Sequence, residues 1–427
     1  MSTMRHAGQQ GPPGGRAPAP AGRRPSQEGG EPGTAGQDAR AERGPGPGAD
    51  LGQEPLATHA PVPVVIIGAG RVAHAAHLRE IRDLPDLIRP VAVIDPDPGH
   101  RAAVMAGFPR VAVCDTPEEA TRAGAGAALV LSPWWTHKDI VLACLEARLP
   151  VLCEKPVSLD PAEIDELIAA ERLSGVPVTA GYMKRHDPVV RLFIGHCRAN
   201  AATARRIAVD IHDPNAPHLV DHLVPYPPPP FGPQPPPARA ALARALGADS
   251  SALQREVYAR GLGGSLIHQV NIVHAALDGT GRELYGSLEH SLQWAGGSAV
   301  SCRWRPDDGL VVEASHLRLP AHRRYRETLE FTGTDSVATL TLPSPYARDE
   351  GATLHIDTWD EATGLSTRRT HRAGPAVTGF REQLRAWTRS VSQAPGPGPR
   401  TGDRPLPGLR EVREDALAVR EAALRLT

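Results

Sequence analysis

The sequence predicts an α/β protein with two parts: a doubly wound parallel sheet first, then a C-terminal α+β domain with an open, mainly antiparallel sheet. Three observations predict it. Between residues 62 and 181 short apolar runs alternate with helical patterns, the order that gives parallel strands with helices on both faces. The first apolar run breaks at Gly68, Gly70 and Ala73 and continues with helical spacing, so a tight turn joins strand to helix. After about Tyr182 longer stretches alternate apolar and polar residues, as strands do when one face of their sheet meets solvent.

Taken in order, a strand ends at Ile67, its helix runs to about Leu84, and a strand at 91–94 is followed by a helix at 99–106. Thr116, Pro117 and Glu119 mark the next helix start: a capping hydroxyl, a proline in the first turn and a glutamate at the third position. Strands are expected at 128–131, 151–153 and 176–181, with helices at 136–148 and from the cap Asp160 to the stop Gly175. In the second half, 298–305, 310–319, 328–331, 338–342 and 353–359 read as strands, and 377–391 and 408–426 as amphipathic helices separated by a Pro/Gly-rich linker.

Composition narrows the function. The chain has 427 residues, 47 Lys plus Arg against 48 Asp plus Glu, so no net field favours nucleic acid or an anionic membrane as partner. No run is long enough to span a bilayer. The five cysteines, at 114, 144, 153, 197 and 302, form no paired metal spacing, which fits a reducing, cytoplasmic setting. Residues 1–60 are rich in Gly, Pro, Ala and Arg with few large apolar side chains, a leader expected to be disordered. Arg23 and Arg24 are followed by no apolar stretch, which speaks against export. Domains are expected at 61–185 and 186–427, with a Pro-rich insertion at 225–237 that reads as a surface segment near the substrate cleft.

The glycine turn carries the first functional signal. Gly68 would turn the backbone sharply, Gly70 would admit a pyrophosphate against bare main chain, and Ala73 would let the helix pack close; the helix's first free N–H groups then face the anion. Ala69, Arg71 and Val72 share this turn and join the expected cofactor contacts. The strand at 91–94 ends in Asp95, placed to accept the ribose hydroxyls and to repel a 2′-phosphate, which predicts a Rossmann domain that binds NAD. Asp97 adds negative charge in the same place.

Two motifs follow later strands: Ser132-Pro133-Trp134-Trp135-Thr136-His137 and Glu154-Lys155-Pro156. With the glycine turn they resemble the Gfo/Idh/MocA family of oxidoreductases, strongly through about Pro188 and thinly beyond. Ser132, Pro133, His137, Glu154, Lys155 and Pro156 fit its signatures, and Trp134 stands where the family usually has Asn. The resemblance implies NAD(H)-dependent hydride transfer on a sugar, aminosugar, cyclitol or related small polyol. It also implies cofactor contacts from Ser132, Pro133, His137, Glu154 and Lys155, with Lys155 at the reacting hydroxyl, and a homodimer or homotetramer paired through the open sheet.

The segment from Gly263 to His274 resembles the family's glycine-led helix, with His268 in the position of an Asp and Ile272 in that of the usual catalytic His. Leu266, Val270, Val273 and Leu277 recur at helical spacing as a buried stripe, which would leave His268 and Asn271 together on another face. His268 is the expected proton partner of Lys155, and His274 the next candidate. Lys184, Arg185, Asn271 and His274 are expected at the substrate. His212, Asp213, His218, Asp221 and His222 have metal-capable side chains but no helical metal spacing, so no metal is expected and a polar, substrate-facing loop is the better reading. Two other readings share this architecture: a glycosidase using tightly held NAD for transient oxidation, and a ligand-sensing regulator that turns nothing over.

Overall fold

The computed structural model describes residues 60–214, 217–226, 234–374, 376–393 and 406–427. The leader, most of the Pro-rich insertion, the side chain of His218 and the linker between the last two helices lie outside these residues.

The parallel sheet holds β1 (Val62–Ile67), β2 (Ile88–Ile94), β3 (Ala112–Val113), β4 (Ala127–Val130), β5 (Val151–Glu154) and β6 (Val178–Gly181) in the order β3-β2-β1-β4-β5-β6. All four residues of β4, β5 and β6 are buried, as strands covered on both faces must be, which is why they read as mostly apolar runs, with Glu154 and Thr179 the polar exceptions. The helix caps behave as the sequence predicts: Thr116 accepts from the Glu119 amide, Asp160 from the Ala162 amide, and Gly175 ends its helix in the left-handed conformation at φ 67°. The chain winds outward to β3 and then crosses to β4 beside β1. The carboxyl ends of β1 and β4 therefore form the crevice where such sheets bind ligands.

The second sheet comprises β7 (Ala204–Asp213), β8 (Leu288–Trp294), β9 (Ala299–Asp307), β10 (Leu310–Arg318), β11 (Arg326–Gly333), β12 (Ser336–Leu342), β13 (Thr353–Asp360) and β14 (Leu365–Arg372), in the order β14-β13-β12-β11-β7-β10-β9-β8. Only β7 and β10 run parallel among its described pairs. One face is covered by Pro188–Ala199, Ile267–Leu277 and Leu409–Leu424, whose buried Val190, Phe193, Ile272, Val412 and Val419 share a core with Ile207, Val209, Leu329 and Phe331 of the strands.

The chain then returns to the first domain. The helix Gly379–Ser392 sets Leu384 and Trp387 among Val64, Ile66 and Leu129. The residue before the last helix, Gly408, pairs with Thr179 of β6.

One sequence expectation is corrected here. The helix Ile267–Leu277 is buried nearly all round, including Gln269 and Asn271 at 0 % exposure, because it is sandwiched between the sheet, the Pro188–Ala199 helix and the C-terminal helix. A single apolar stripe describes a helix with one solvent face, and this one has none.

Candidate active site

The glycine turn is built as a phosphate cradle. Gly68 has φ +87°, and a Cβ there would sit 2.5 Å from the Ser132 backbone, so only glycine lets the ends of β1 and β4 approach. Nothing lies within 4 Å of where a Gly70 side chain would begin, which leaves the main chain open to an anion. Asp95 locks the turn from beneath, its Oδ2 accepting from the Ala69 amide at 2.7 Å and its Oδ1 from the Asp97 amide at 2.8 Å. Asp97 has a different role from the one expected. Its carboxylate caps the helix Pro98–Gly107 by accepting from the Gly99 and His100 amides, and these bonds hold its pKa below the usual value.

His137 is also reassigned. It is buried, and both ring nitrogens face backbone carbonyls, Nδ1 at 2.9 Å from Pro156 and Nε2 at 2.7 Å from Ser132. It therefore clamps the turn after β4 to the Lys-Pro turn after β5, and no nitrogen is left to meet a cofactor. The Ser132 hydroxyl accepts from Thr136 at 2.8 Å, and Pro133 is exposed at the crevice.

Glu154 is buried at the end of β5, with Oε1 at 2.7 Å from Nε2 of the fully buried His77 and Oε2 accepting from the Lys155 amide. The Glu154 carboxylate thus fixes the turn that presents Lys155. Lys155 Nζ donates to the Gly264 carbonyl at 2.6 Å, and an ammonium keeps two further donors for a ligand. Burial lowers its pKa from 10.5 to about 8, with the Lys184 charge adding to the fall and Glu154 and Asp213 opposing it. The Gly264 carbonyl belongs to a wide π-helical stretch, Tyr258–Leu266, in which a Cβ on Gly264 would lie 2.7 Å from the Ala259 carbonyl.

His268 is in the same place. Its Nδ1 is buried without a partner among the described residues, its ring meets Tyr182 edge-on at 6.0 Å, and burial with the nearby Lys155 and Lys184 charges pushes its pKa well below 6.5. It is a neutral imidazole with one unused nitrogen, whereas Ile272 is buried and apolar.

The four expected substrate residues part company. Lys184 turns toward Lys155 and pairs with Glu327 at 2.5 Å, and Glu327 also accepts from Gln269 at 2.6 Å and from the Tyr325 hydroxyl. Arg185, Asn271 and His274 turn away. Asp415, at 0 % exposure on the last helix, takes Asn271 Nδ2 at 2.8 Å and His274 Nδ1 at 2.6 Å, while Arg185 bridges Asn271 and Glu411 at 3.0 Å each. These three pin the C-terminal helix. Adjacent positions 184 and 185 face opposite sides of one tight turn, Met183–His186, so similar charges met different partners.

The expected metal-capable cluster is dispersed. Asp213 pairs with His316 at 3.6 Å, His212 with Asp210 at 3.1 Å and Asp221 with Arg71 at 3.2 Å, and no group of three candidate ligands assembles among the described residues. A small cleft opens beside Lys184, Asp187 and Thr378, but neither Lys155 nor His268 lines it.

Two signals in the sequence bear on this cluster, one on Glu327, which was not expected at the site, and one on Lys155 and Lys184, which were. Glu327 shares the inward face of β11 with Leu329 and Phe331, and an acid in register with apolar residues needs a buried partner. The chain has three lysines, 138, 155 and 184, among 47 basic residues. Lysine, unlike arginine, shifts its pKa readily when buried, and two of the three meet here.

This is a dinucleotide-binding Rossmann domain joined to an open-sheet domain, with a lysine of lowered pKa at their junction. Residues 62–182 match the model of the Gfo/Idh/MocA oxidoreductase family with an NAD-binding Rossmann fold. Over 130 residues it is 40 % identical to inositol 2-dehydrogenase 1 of Saccharopolyspora erythraea, covering 30 % of this chain and 38 % of that protein. Over 169 residues it is 28 % identical to inositol 2-dehydrogenase of Renibacterium salmoninarum, covering 38 % and 51 %. The chain thus spans about two fifths to a half of the length of these relatives. The fold as a whole resembles KijD10, a 3-ketoreductase from Actinomadura kijaniata solved with NADP and TDP-benzene, with TM-score 0.61, 16 % identity and coverage of 86 % and 98 %. It also resembles a probable dehydrogenase from Thermotoga maritima, with TM-score 0.57, 18 % identity and coverage of 85 % and 96 %.

Proposed function

We propose that the protein is an NAD(H)-dependent oxidoreductase acting between a carbinol and a carbonyl of a sugar, aminosugar, cyclitol or similar polyol. The observation that carries this reading is Lys155. It stands at the end of β5 beside the crevice, its pKa lowered to about 8, with the imidazole of His268, whose Nδ1 has no partner among the described residues, sharing its surroundings.

The open main chain at Gly70 and the acid beneath the turn fit a dinucleotide, which when bound takes or gives the hydride. Gly68, Ala69, Gly70, Arg71, Val72 and Ala73 would hold its phosphates, Asp95 its adenosine ribose, and Ser132, Pro133 and Glu154 would border its nicotinamide half. Lys155 removes the proton from the substrate hydroxyl in oxidation and returns it in reduction, and its charged form stabilises developing alkoxide character. A pKa near working pH lets it do both. His268, held neutral, orients that hydroxyl through its free nitrogen rather than supplying a proton of its own. Lys184, anchored by Glu327, keeps Lys155 from binding its proton too tightly.

The relatives named above are dehydrogenases and reductases, which favours turnover over the glycosidase or sensor readings. The five buried, unpaired cysteines favour a cytoplasmic setting. Exposed Leu292, Trp294, Trp359 and Leu365 on the second sheet favour pairing into a homodimer or homotetramer.

The decisive experiment screens sugars and cyclitols at the NADH absorbance, then compares wild type with Lys155→Ala. Dinucleotide binding should stay within about tenfold while turnover falls by about 10² to 10⁴. An active Lys155→Ala enzyme overturns the mechanism, and tighter binding of NADPH than NADH overturns the assignment of NAD.

A further inference from the structure

One segment outside the Rossmann strands lies on the glycine turn. After β7 ends at Asp213 the chain passes through Pro217–Val220 and Asp221–Leu223 to Tyr226, and two of its side chains engage the cradle. The Tyr226 hydroxyl donates to the Ala69 carbonyl, between the two glycines, at 2.9 Å. Its ring stacks on His100 with centroids 4.4 Å apart and planes at 28°, and meets His74 edge-on at 5.5 Å. His100 Nδ1 is in turn 3.1 Å from Asp95 Oδ1. Asp221 forms an ion pair with Arg71 of the turn at 3.2 Å.

These contacts converge on one spot. The phenol spans from the turn carbonyl to the imidazole that meets Asp95, on the side of the turn where the carboxylate assigned to the adenosine ribose lies. We propose that the segment 217–226 is a strap of the second domain that occludes the adenosine end of the dinucleotide site, and that Tyr226 must leave the Ala69 carbonyl before the cofactor binds.

The inference rests on the cofactor reading above and adds an energetic consequence. Binding competes with the strap, so the apparent affinity is the intrinsic one reduced by the fraction of molecules whose strap is open.

The test titrates NAD into the full chain and into Tyr226→Ala, Tyr226→Phe and Asp221→Asn, with amide hydrogen exchange of 217–226 followed with and without NAD. Tyr226→Ala should bind about tenfold tighter and Tyr226→Phe, which keeps the stack and loses one hydrogen bond, a few-fold tighter, with Asp221→Asn between them. Saturating NAD should speed exchange in 217–226 of the wild type. Equal or weaker binding by Tyr226→Ala and Tyr226→Phe, or exchange slowed by NAD, overturns the strap while leaving the cofactor site intact. Absence of NAD binding in wild type and variants alike overturns the cofactor reading and the strap with it.

Discussion

If burial beside Lys184 sets the Lys155 pKa near 8, the amine should change charge inside the range where the enzyme is assayed. About a tenth of the molecules carry neutral Lys155 at about pH 7 and about nine-tenths at about pH 9, against well under a hundredth at pH 7 for an unperturbed lysine. Oxidation needs the neutral amine, so its rate should rise about tenfold over that interval and level off. Reduction needs the ammonium and should fall over the same interval.

Because the chain holds only three lysines, isotope-labelled lysine gives three side-chain signals, and the assay is an NMR titration of each. One should titrate near 8. Lys138, paired with Glu166 at 2.6 Å and shifted upward by that bond, should titrate above the usual value. Replacing both members of the neighbouring pair, as Lys184→Met with Glu327→Gln, removes a cation that depresses the Lys155 pKa and should move the midpoint to higher pH. The stability sign follows: between about pH 8 and 10.5 the unfolded chain binds a proton at this lysine that the folded chain does not, so this group's contribution to stability rises with pH across that window. A Lys155 midpoint at or above 10.5 would falsify the reasoning.

Two further outcomes are expected. Glu327→Ala strands three buried donors, on Lys184, Gln269 and Tyr325, and should cost about 3–5 kcal/mol in denaturant unfolding, whereas Lys184→Met with Glu327→Gln should recover much of it; a loss under about 1 kcal/mol would show that the pair is not truly buried. His268→Ala should lower turnover while sparing NAD binding, and combined with Lys155→Ala it should add little to the larger single effect, since both groups act on one hydroxyl; effects that multiply independently in single-turnover kinetics would separate the two roles.

The parallel sheet, most helix starts and the position of the crevice were legible in the residues alone. These depend on local rules: strands buried on both faces are mostly apolar, caps need particular side chains a fixed distance ahead, and a turn at φ +87° against a neighbouring strand accepts only glycine. Lys155 was placed at a strand end by the same local rules, while its role at the reacting hydroxyl came from the family resemblance. β14, LSTRRTHR with six exposed residues in its first six positions, and the ten-residue β7 were not expected as strands. An edge strand need not alternate, and β7 owes its place to partners far away in sequence.

Only the tertiary structure decided which polar groups work together. His137, Arg185, Asn271 and His274 look as capable of meeting a ligand as Lys184 and His268 do. Their roles were set by what folded against them: two backbone carbonyls for His137, and the buried carboxylate of Asp415, more than 140 residues away from its two partners, for Asn271 and His274. A buried polar atom must find a partner, and which partner arrives depends on packing between distant elements, about which spacing along one helix carries no information. The contact of Tyr226 with the glycine turn, 157 residues apart, belongs to the same class.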